Sequence, residues 1–159
     1  MDLRGCIFDL DGVIVDTAKY HFMAWRRLAK ELGFEFTLED NEALKGVSRM
    51  ASLEILLSKG GISVTQKEKE VLAARKNGWY VEFISGMKPD EILPGSVKFL
   101  KTLRKEGILT AIGSASKNAG TILDGIGLRD MFDVIVDGNK ISKAKPDPEV
   151  FLRGAQEMK

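Results

Sequence analysis

The sequence contains only one cysteine and one histidine in 159 residues, and its charges of opposite sign nearly balance. A single cysteine, Cys6, excludes a disulfide bond within the chain, so the composition does not point to an oxidising compartment. The formal net charge of +1 provides no general attraction to nucleic acid or to an anionic membrane. We therefore expect a small molecule as the partner, and neither a nucleic acid nor a membrane.

Long apolar runs, internal repeats and low-complexity segments are absent as well. The first apolar run stops at Asp9, long before it could act as a signal peptide or cross a bilayer. Apolar residues make up 44% of the chain and charged residues 30%, which is typical of a globular protein. These features predict a cytoplasmic protein with one or two compact domains.

The spacing of apolar residues predicts an all-helical block inside an alternating chain. Helices are expected at residues 18–32, 48–59 and 66–84. Outside this block, apolar strands alternate with helices, which predicts a parallel sheet with right-handed crossovers. The expected elements are a strand at residues 6–8, a helix at 95–106, a strand at 108–112, a helix at 117–126, a strand at 134–136 and a helix from Pro148.

The first strand belongs with the later strands, because a lone strand cannot satisfy its backbone groups inside a helical bundle. The sequence therefore predicts an α/β core domain formed by residues 1–14 and 88–159, with residues 15–87 inserted as a helical domain. The two connections, at residues 12–17 and 86–95, contain glycine and are the candidate hinges.

Two carboxylates, Asp9 and Asp11, follow the first strand, and Gly12 ends it. Strand side chains alternate, so both carboxylates point to one face and repel each other unless a cation lies between them. An EF-hand loop shares the Asp-x-Asp-Gly pattern, but it needs a preceding helix and a later glutamate that this chain lacks. A purely structural Asp11 in a turn is the simpler alternative.

Polar residues also follow two later strands. In the stretch GSASKN, Ser114 and Ser116 open a helix whose free N–H groups favour a phosphate. In the stretch SKAKPDP, Lys145 is held extended by the following proline. Ligands bind beyond the carboxyl ends of parallel strands, so the two acids, a hydroxyl and the lysine would converge. Taken singly, the serines could be helix N-caps and the lysine a solvated charge.

In this order, the motifs FDLDGVIVDT, IGSASKN and SKAKPDP resemble those of the haloacid dehalogenase-like phosphotransferases, over about residues 7–152. The resemblance implies a Rossmann-like parallel-sheet core, incomplete here, with an inserted helical cap domain. It implies that Asp9 is a nucleophile that becomes an aspartyl phosphate, that Asp11 is the general acid/base, and that both bind Mg²⁺. The residues implied in binding the transferred phosphate are Ser114, Ala115, Ser116, Lys117, Asn118 and Lys145.

The helical block resembles the cap of the β-phosphoglucomutase members of that family, most clearly in DTAKYHFMAWRRLAKELG and LKGVSR. Cations at a helix start oppose the helix dipole unless an anion lies among them. Because Lys45 and Arg49 flank a helix start that Ser48 could cap, we predict a second phosphate site there. Two solvated cations are the alternative. The residues of this predicted site are Lys45, Gly46, Val47, Ser48, Arg49 and, from the long helix, Lys76.

His21 lies one helical turn after Thr17. The resemblance implies that Thr17 and His21 help to position Asp11 as the cap closes. A lone histidine on an apolar helix stripe is more simply a core residue, and that alternative stays open.

The resemblance implies a hexose phosphate or bisphosphate as substrate and interconversion of β-glucose 1-phosphate and glucose 6-phosphate. A sugar-phosphate phosphatase is the alternative. A phospho-accepting signalling receiver is a third candidate, but it needs its acceptor aspartate on a third strand, where residues 48–60 are predicted helical and contain none.

The family also has a further acidic pair beyond an additional strand, and this sequence contains no such segment. We therefore expect an incomplete chain of a mutase-like protein, in which the strand before Asp9 is an exposed edge and metal binding is weakened. The complete protein is expected to be a monomer.

Overall fold

The computed structural model describes residues 3–143 and 145–159, so Ala144 of the third motif lies outside the described residues. The strands are β1 (Gly5–Phe8), β2 (Leu109–Gly113) and β3 (Val134–Val136). The helices are α1 (Ala18–Glu31), α2 (Leu38–Glu42), α3 (Arg49–Lys59), α4 (Gln66–Ser85), α5 (Ser96–Lys105), α6 (Ala119–Gly125) and α7 (Glu149–Glu157), with short 3-10 helices at Pro89–Glu91 and Arg129–Met131.

The chain forms two compact units. Residues 18–83 form the helical unit, and the residues before and after them form the α/β unit. The chain passes between the units at Thr17 and again within α4, so residues 86–95 belong wholly to the α/β unit. The helical unit is thus an insertion in the α/β unit.

The α/β unit contains a parallel sheet with the strand order β1-β2-β3, which confirms the predicted fold class. Phe8 of β1 lies opposite Ile112 of β2, and Ala111 lies opposite Val134 of β3. In the part of the chain that the structure describes, β1 pairs with β2 alone. The four residues of β1 are half-buried, which agrees with the expectation that this strand lies at an edge of the sheet.

Helices cover both faces of this sheet. Successive strand side chains point to opposite faces, and Ile7 and Phe8 contact different helices. A Cβ atom on Gly154 of α7 would lie 3.3 Å from Ile7 Cδ1, so the glycine allows α7 to approach the sheet closely. On the other face, the Phe8 ring packs edge-on against Phe99 of α5, with centroids 5.8 Å apart. The sheet is therefore packed between helices on both faces, and the segments that follow its strands emerge from this packed layer.

The helical unit has its own apolar core. The three long helices predicted from the apolar stripes are confirmed as α1, α3 and α4, whereas α2 was not predicted. Helix α2 has only five residues and no apolar stripe, and it is stabilised by a capping box between Thr37 and Asp40. The buried residues of the core are Trp25, Leu28, Ala29, Phe36, Leu44, Leu53, Leu56, Leu57 and Ala73.

Within the described residues, no helix is both long enough and apolar enough to span a membrane.

We expect Leu56→Ala to destabilise the helical unit by about 2–5 kcal/mol, because it leaves a cavity where the side chain is 0% exposed. The neighbouring Ile55 is 40% exposed, so Ile55→Ala is a matched control with little effect. Urea unfolding followed by circular dichroism measures both changes. Equal losses of stability in the two variants would contradict this description of the core.

Candidate active site

Asp9 is the first residue after β1, and the chain turns back immediately beyond it. Gly12 has a φ of 79°, in the left-handed region that glycine adopts without strain. The turn is closed by the Gly12 N–H, which donates to the Val15 carbonyl at 2.7 Å. Because Phe8 is paired with Ile112 of β2, the residues that follow these two strands leave the sheet side by side.

Lys145 lies beside the first of the two acids. Its Nζ lies 2.7 Å from Asp9 Oδ2, and the other carboxylate oxygen, Oδ1, accepts the Leu10 N–H at 2.8 Å. The ammonium group also lies 5.1 Å from the centre of the Phe151 ring on α7. The peptide bond between Lys145 and Pro146 is cis. Lys145 is therefore an ion-pair partner of Asp9 and not a solvated surface charge.

The segment that carries Lys145 is held by Glu149, at the start of α7. The Glu149 carboxylate accepts the backbone N–H of Ser142 at 3.0 Å and that of Lys143 at 2.7 Å, and the Ser142 hydroxyl at 3.0 Å. These hydrogen bonds lower the pKa of Glu149. The sequence reasoning did not single out Glu149, although an acidic residue directly after Pro148 is a recognisable signal for a helix start.

Asp11 lies in a drier environment than Asp9. The Thr17 hydroxyl donates a hydrogen bond to Asp11 Oδ1. Burial raises the pKa of Asp11, the Thr17 hydrogen bond lowers it, and the nearby charges of Asp9 and Lys145 act in opposite directions. Since the net effect is a raised pKa, Asp11 keeps its proton to higher pH than an ordinary aspartate, as a general acid must.

The loop at residues 114–118 follows β2. Ser114 is 1% exposed, and its N–H donates to the carbonyl of Val136, the last residue of β3. The Ser116 N–H donates to Ser114 Oγ at 3.1 Å, and the Asn118 N–H donates to Ser116 Oγ at 3.2 Å. The predicted helix over residues 117–126 begins later, at Ala119, because the serine hydroxyls shape a turn first. Ala115 and Lys117 complete this loop.

Asp9 and Asp11, which follow β1, are the candidate metal ligands of the site. In the described part of the chain, no three His, Cys, Asp or Glu side chains cluster to hold a metal ion by themselves. Mg²⁺ commonly binds one or two carboxylates and completes its shell with water and phosphate oxygens. Hard oxygen donors in this number fit Mg²⁺ that binds together with a phosphate.

A second polar cluster lies in the helical unit around Lys76, which is only 2% exposed. Lys76 Nζ lies 3.0 Å from His21 Nδ1, and 4.4 and 4.9 Å from the ring centres of Trp25 and Tyr80. The His21 ring stacks on Tyr80 with centroids 4.0 Å apart. The two aromatic residues were not predicted as part of a site, because at sequence level their helical spacing is that of ordinary core residues.

The charges of this cluster are destabilised by burial. Burial and the charge of Arg49 lower the pKa of Lys76 to about 7. Burial, Lys76 and Arg49 together lower the pKa of His21 to about 3. Burial also lowers the pKa of Arg49 itself. Lys76 and His21 thus both feel the charge of Arg49, and an anion beside them would relieve that repulsion.

Of the predicted motif at residues 45–49, Arg49 acts on the cluster through its charge, whereas Lys45 does not belong to it. Ser48 caps α3 by accepting the Ala51 N–H at 3.4 Å, as predicted, and Arg49 is the first residue of the helix. Lys45, in contrast, pairs with Glu42 at 2.7 Å on the surface. Val47 is 37% exposed, and Gly46 has a φ of 74° in the turn before the cap.

Thr17 contacts Asp11 directly, as the resemblance implies. The contacts of His21 are with Lys76 and Tyr80 inside the helical unit.

Comparison with known proteins identifies close relatives. A β-phosphoglucomutase from Bacillus subtilis is 44% identical over 155 residues, which cover 96% of this chain and 69% of the relative. A fructose-1-phosphate phosphatase from Escherichia coli is 31% identical over 158 residues, which cover 97% of this chain and 79% of that protein. A solved β-phosphoglucomutase from Clostridium difficile matches with a TM-score of 0.90 and 43% identity, over 99% of this chain and 71% of that one.

The family model described as haloacid dehalogenase-like hydrolase matches residues 3–159, which include both strand-end acids and the lysine that pairs with the first of them. Together with the 44% identity to the Bacillus enzyme, this match shows that the chain belongs to the haloacid dehalogenase-like hydrolase family.

Proposed function

We propose that this protein transfers a phosphoryl group on a hexose phosphate through an aspartyl phosphate at Asp9, converting β-glucose 1-phosphate to glucose 6-phosphate. The observation that carries the proposal is the ion pair between Asp9 and Lys145, 2.7 Å long, beside an Asp11 whose pKa is raised. Phosphoryl transfer requires a placed nucleophile, a positive group near the phosphate oxygens and a proton donor for the leaving oxygen.

In the first step, an Asp9 oxygen forms a bond to one phosphorus of the sugar bisphosphate while the bond from that phosphorus to the sugar oxygen breaks, which leaves a sugar monophosphate. The leaving oxygen takes the proton of Asp11, which becomes a carboxylate. The hydroxyl of Thr17 holds Asp11 in place, and Lys145 offsets negative charge beside Asp9. Residues 114–118 bind the phosphate oxygens. Asp9 and the backbone carbonyl of Asp11 would hold Mg²⁺, which when bound neutralises charge on those oxygens.

In the second step, a hydroxyl of the phosphorylated sugar attacks the aspartyl phosphate and returns its proton to Asp11. The bond between Asp9 and phosphorus breaks, and both carboxyl groups regain their starting states. A mutase must bind a bisphosphate in two orientations, so it needs a second phosphate site. We assign that site to Arg49, Lys76 and His21, because Lys76 is buried against His21 and the charge of Arg49 acts on both groups.

The helical unit is then the cap domain of the enzyme, and its connections to the α/β unit are the hinges. Whether the complete protein acts in the cytoplasm as a monomer stays a prediction from the sequence.

A phosphatase acting on sugar phosphates is the second candidate, and the phosphatase among the relatives favours it. Water would then attack the aspartyl phosphate in place of a sugar hydroxyl. The receiver alternative does not apply, because helix α3 occupies residues 49–59 where a receiver needs a strand.

The two enzymatic candidates are separated by one assay. We expect β-glucose 1-phosphate with a trace of the bisphosphate to yield glucose 6-phosphate in the presence of Mg²⁺. Predominant release of inorganic phosphate would favour the phosphatase. Formation of neither glucose 6-phosphate nor inorganic phosphate would count against both candidates.

We expect Asp9→Asn to abolish turnover, because an amide cannot form the acyl phosphate. Asp11→Asn is expected to lower kcat by roughly 10²–10⁴-fold, the range for loss of a general acid. Asp124→Asn is the matched control, since Asp124 pairs with Arg129 on the surface of α6. Steady-state kinetics measures all three, and an Asp9→Asn variant with normal turnover would refute the assignment of the nucleophile.

We expect Lys76→Met to stabilise the protein while weakening substrate binding. The pKa of Lys76 is lowered from 10.5 to about 7, so its burial is most unfavourable below pH 7, and the penalty disappears as the pH rises towards 10.5. Replacement by an apolar side chain should add about 1–4 kcal/mol at pH 6.5 and less at pH 9.5. Thermal unfolding at the two pH values measures the difference.

The matched control is Lys67→Met, an exposed position on the same helix. A Lys76→Met variant that is destabilised, or that matches Lys67→Met at both pH values, would be inconsistent with a buried, unfavourable charge.

A further inference from the structure

We propose that the turn at residues 137–139 positions the phosphate-binding loop at residues 114–118, with Gly138 and Asn139 as positioning residues. The proposal rests on the proposed function for the role of that loop. The turn follows β3 and the loop follows the neighbouring strand β2, so the two segments leave the sheet next to each other. The three motifs quoted from the sequence do not include this turn, although Asp137-Gly138 is a turn dipeptide.

The turn makes two hydrogen bonds to backbone carbonyls of the loop. The Gly138 N–H donates to the Ser116 carbonyl at 3.1 Å, and Asn139 Nδ2 donates to the Lys117 carbonyl at 3.0 Å. The loop is also anchored at its start, where the Ser114 N–H donates to Val136 at 2.9 Å. The loop is therefore held at residues 114, 116 and 117 by the end of β3 and the turn after it.

The two segments approach so closely that only glycine fits at residue 138. A Cβ atom there would collide with the carbonyl oxygen of Ala115 and would lie 3.0 Å from the backbone N of Lys117. Backbone atoms cannot swing aside as a flexible side chain can, so any larger residue must displace the loop. Glycine at this position is thus needed for the contact between the segments.

The hydrogen bonds to the loop orient its peptide groups. In a planar trans peptide, the C=O of one residue and the N–H of the next point in opposite directions. When the turn draws the Ser116 carbonyl towards itself, the Lys117 N–H is directed to the other side. Oriented N–H groups are what stabilise a phosphoryl group, and their effect depends on placement within a fraction of an ångström.

The turn is itself rigid enough to act in this way. Asp137 Oδ1 accepts the Asn139 N–H at 2.9 Å, and Asp137 Oδ2 accepts Asn139 Nδ2 at 3.2 Å. The Lys140 N–H donates to the Asp137 carbonyl at 3.0 Å. The amide of Asn139 is thus oriented by Asp137 towards Lys117.

The test uses four variants: Gly138→Ala, Asn139→Ala, Asn139→Gln and Lys140→Gln. Lys140 lies beside the turn but pairs with Glu157, so Lys140→Gln is the matched control. Three quantities are measured for each folded variant: amide hydrogen exchange at residues 114–118 without ligand, the Kd for inorganic phosphate with Mg²⁺, and kcat and KM for β-glucose 1-phosphate. Thermal unfolding identifies any variant that fails to fold.

We expect Asn139→Ala to speed exchange in the loop and to weaken phosphate binding about fivefold, the effect of one lost hydrogen bond. Asn139→Gln keeps the amide donor and should recover part of the loss. Gly138→Ala should lower kcat by roughly 10²-fold, since displaced groups no longer fit the reacting phosphate. Lys140→Gln should match the unaltered chain.

Unchanged exchange at residues 114–118 in the folded Asn139→Ala and Gly138→Ala variants would overturn the proposal, whatever their activity. Faster exchange with unchanged phosphate affinity and turnover would overturn it too. If the unaltered chain neither binds phosphate nor turns over substrate, the proposed function fails. The exchange comparison then still decides whether the turn holds the loop.

Discussion

The ion pair between Asp9 and Lys145 is the interaction on which the α/β unit's chemistry depends. Two carboxylates placed just after one strand cannot both be charged in a partly buried site without compensation. Lys145 lies 2.7 Å from Asp9 and forms an ion pair with it, whereas burial raises the pKa of Asp11. In the proposed reaction, Asp9 attacks phosphorus and Asp11 donates a proton. The hydrogen bonds to the Glu149 carboxylate hold the segment that carries Lys145, and the loop after β2 lies beside Asp9 at the end of the neighbouring strand.

In the helical unit the charges that lie close together are positive, whereas in the α/β unit they are two carboxylates. The charge of Arg49 lowers the pKa of both Lys76 and His21, and the rings of Trp25 and Tyr80 lie beside the lysine. A buried lysine opposes folding unless an anion accompanies it, and a substrate phosphate is the anion that the proposed function supplies. The apolar core built from α1, α3 and α4 offsets this penalty.

Much of the fold could be predicted because its signals are local. Apolar periodicity marked three strands and the long helices, and the acids, serines and lysine were recognised at strand ends. Helix α2 was missed because five residues carry no periodic stripe. Glu149 and Asn139 were missed because they act on backbone groups of other segments, and a sequence does not show which backbone groups lie nearby. Lys76 could be suggested as a ligand, but its burial could not.

The sequence by itself determined the parallel α/β arrangement, the inserted helical block and the kinds of groups at each strand end, since these follow from residue type and local spacing. Only the tertiary structure decided that Lys145 pairs with Asp9, that Thr17 contacts Asp11, that Lys76 is buried against His21, and that Gly138 meets the loop after β2. Pairings of this kind join residues on different segments, and their ion pairs and pKa shifts depend on distance and burial, which packing sets.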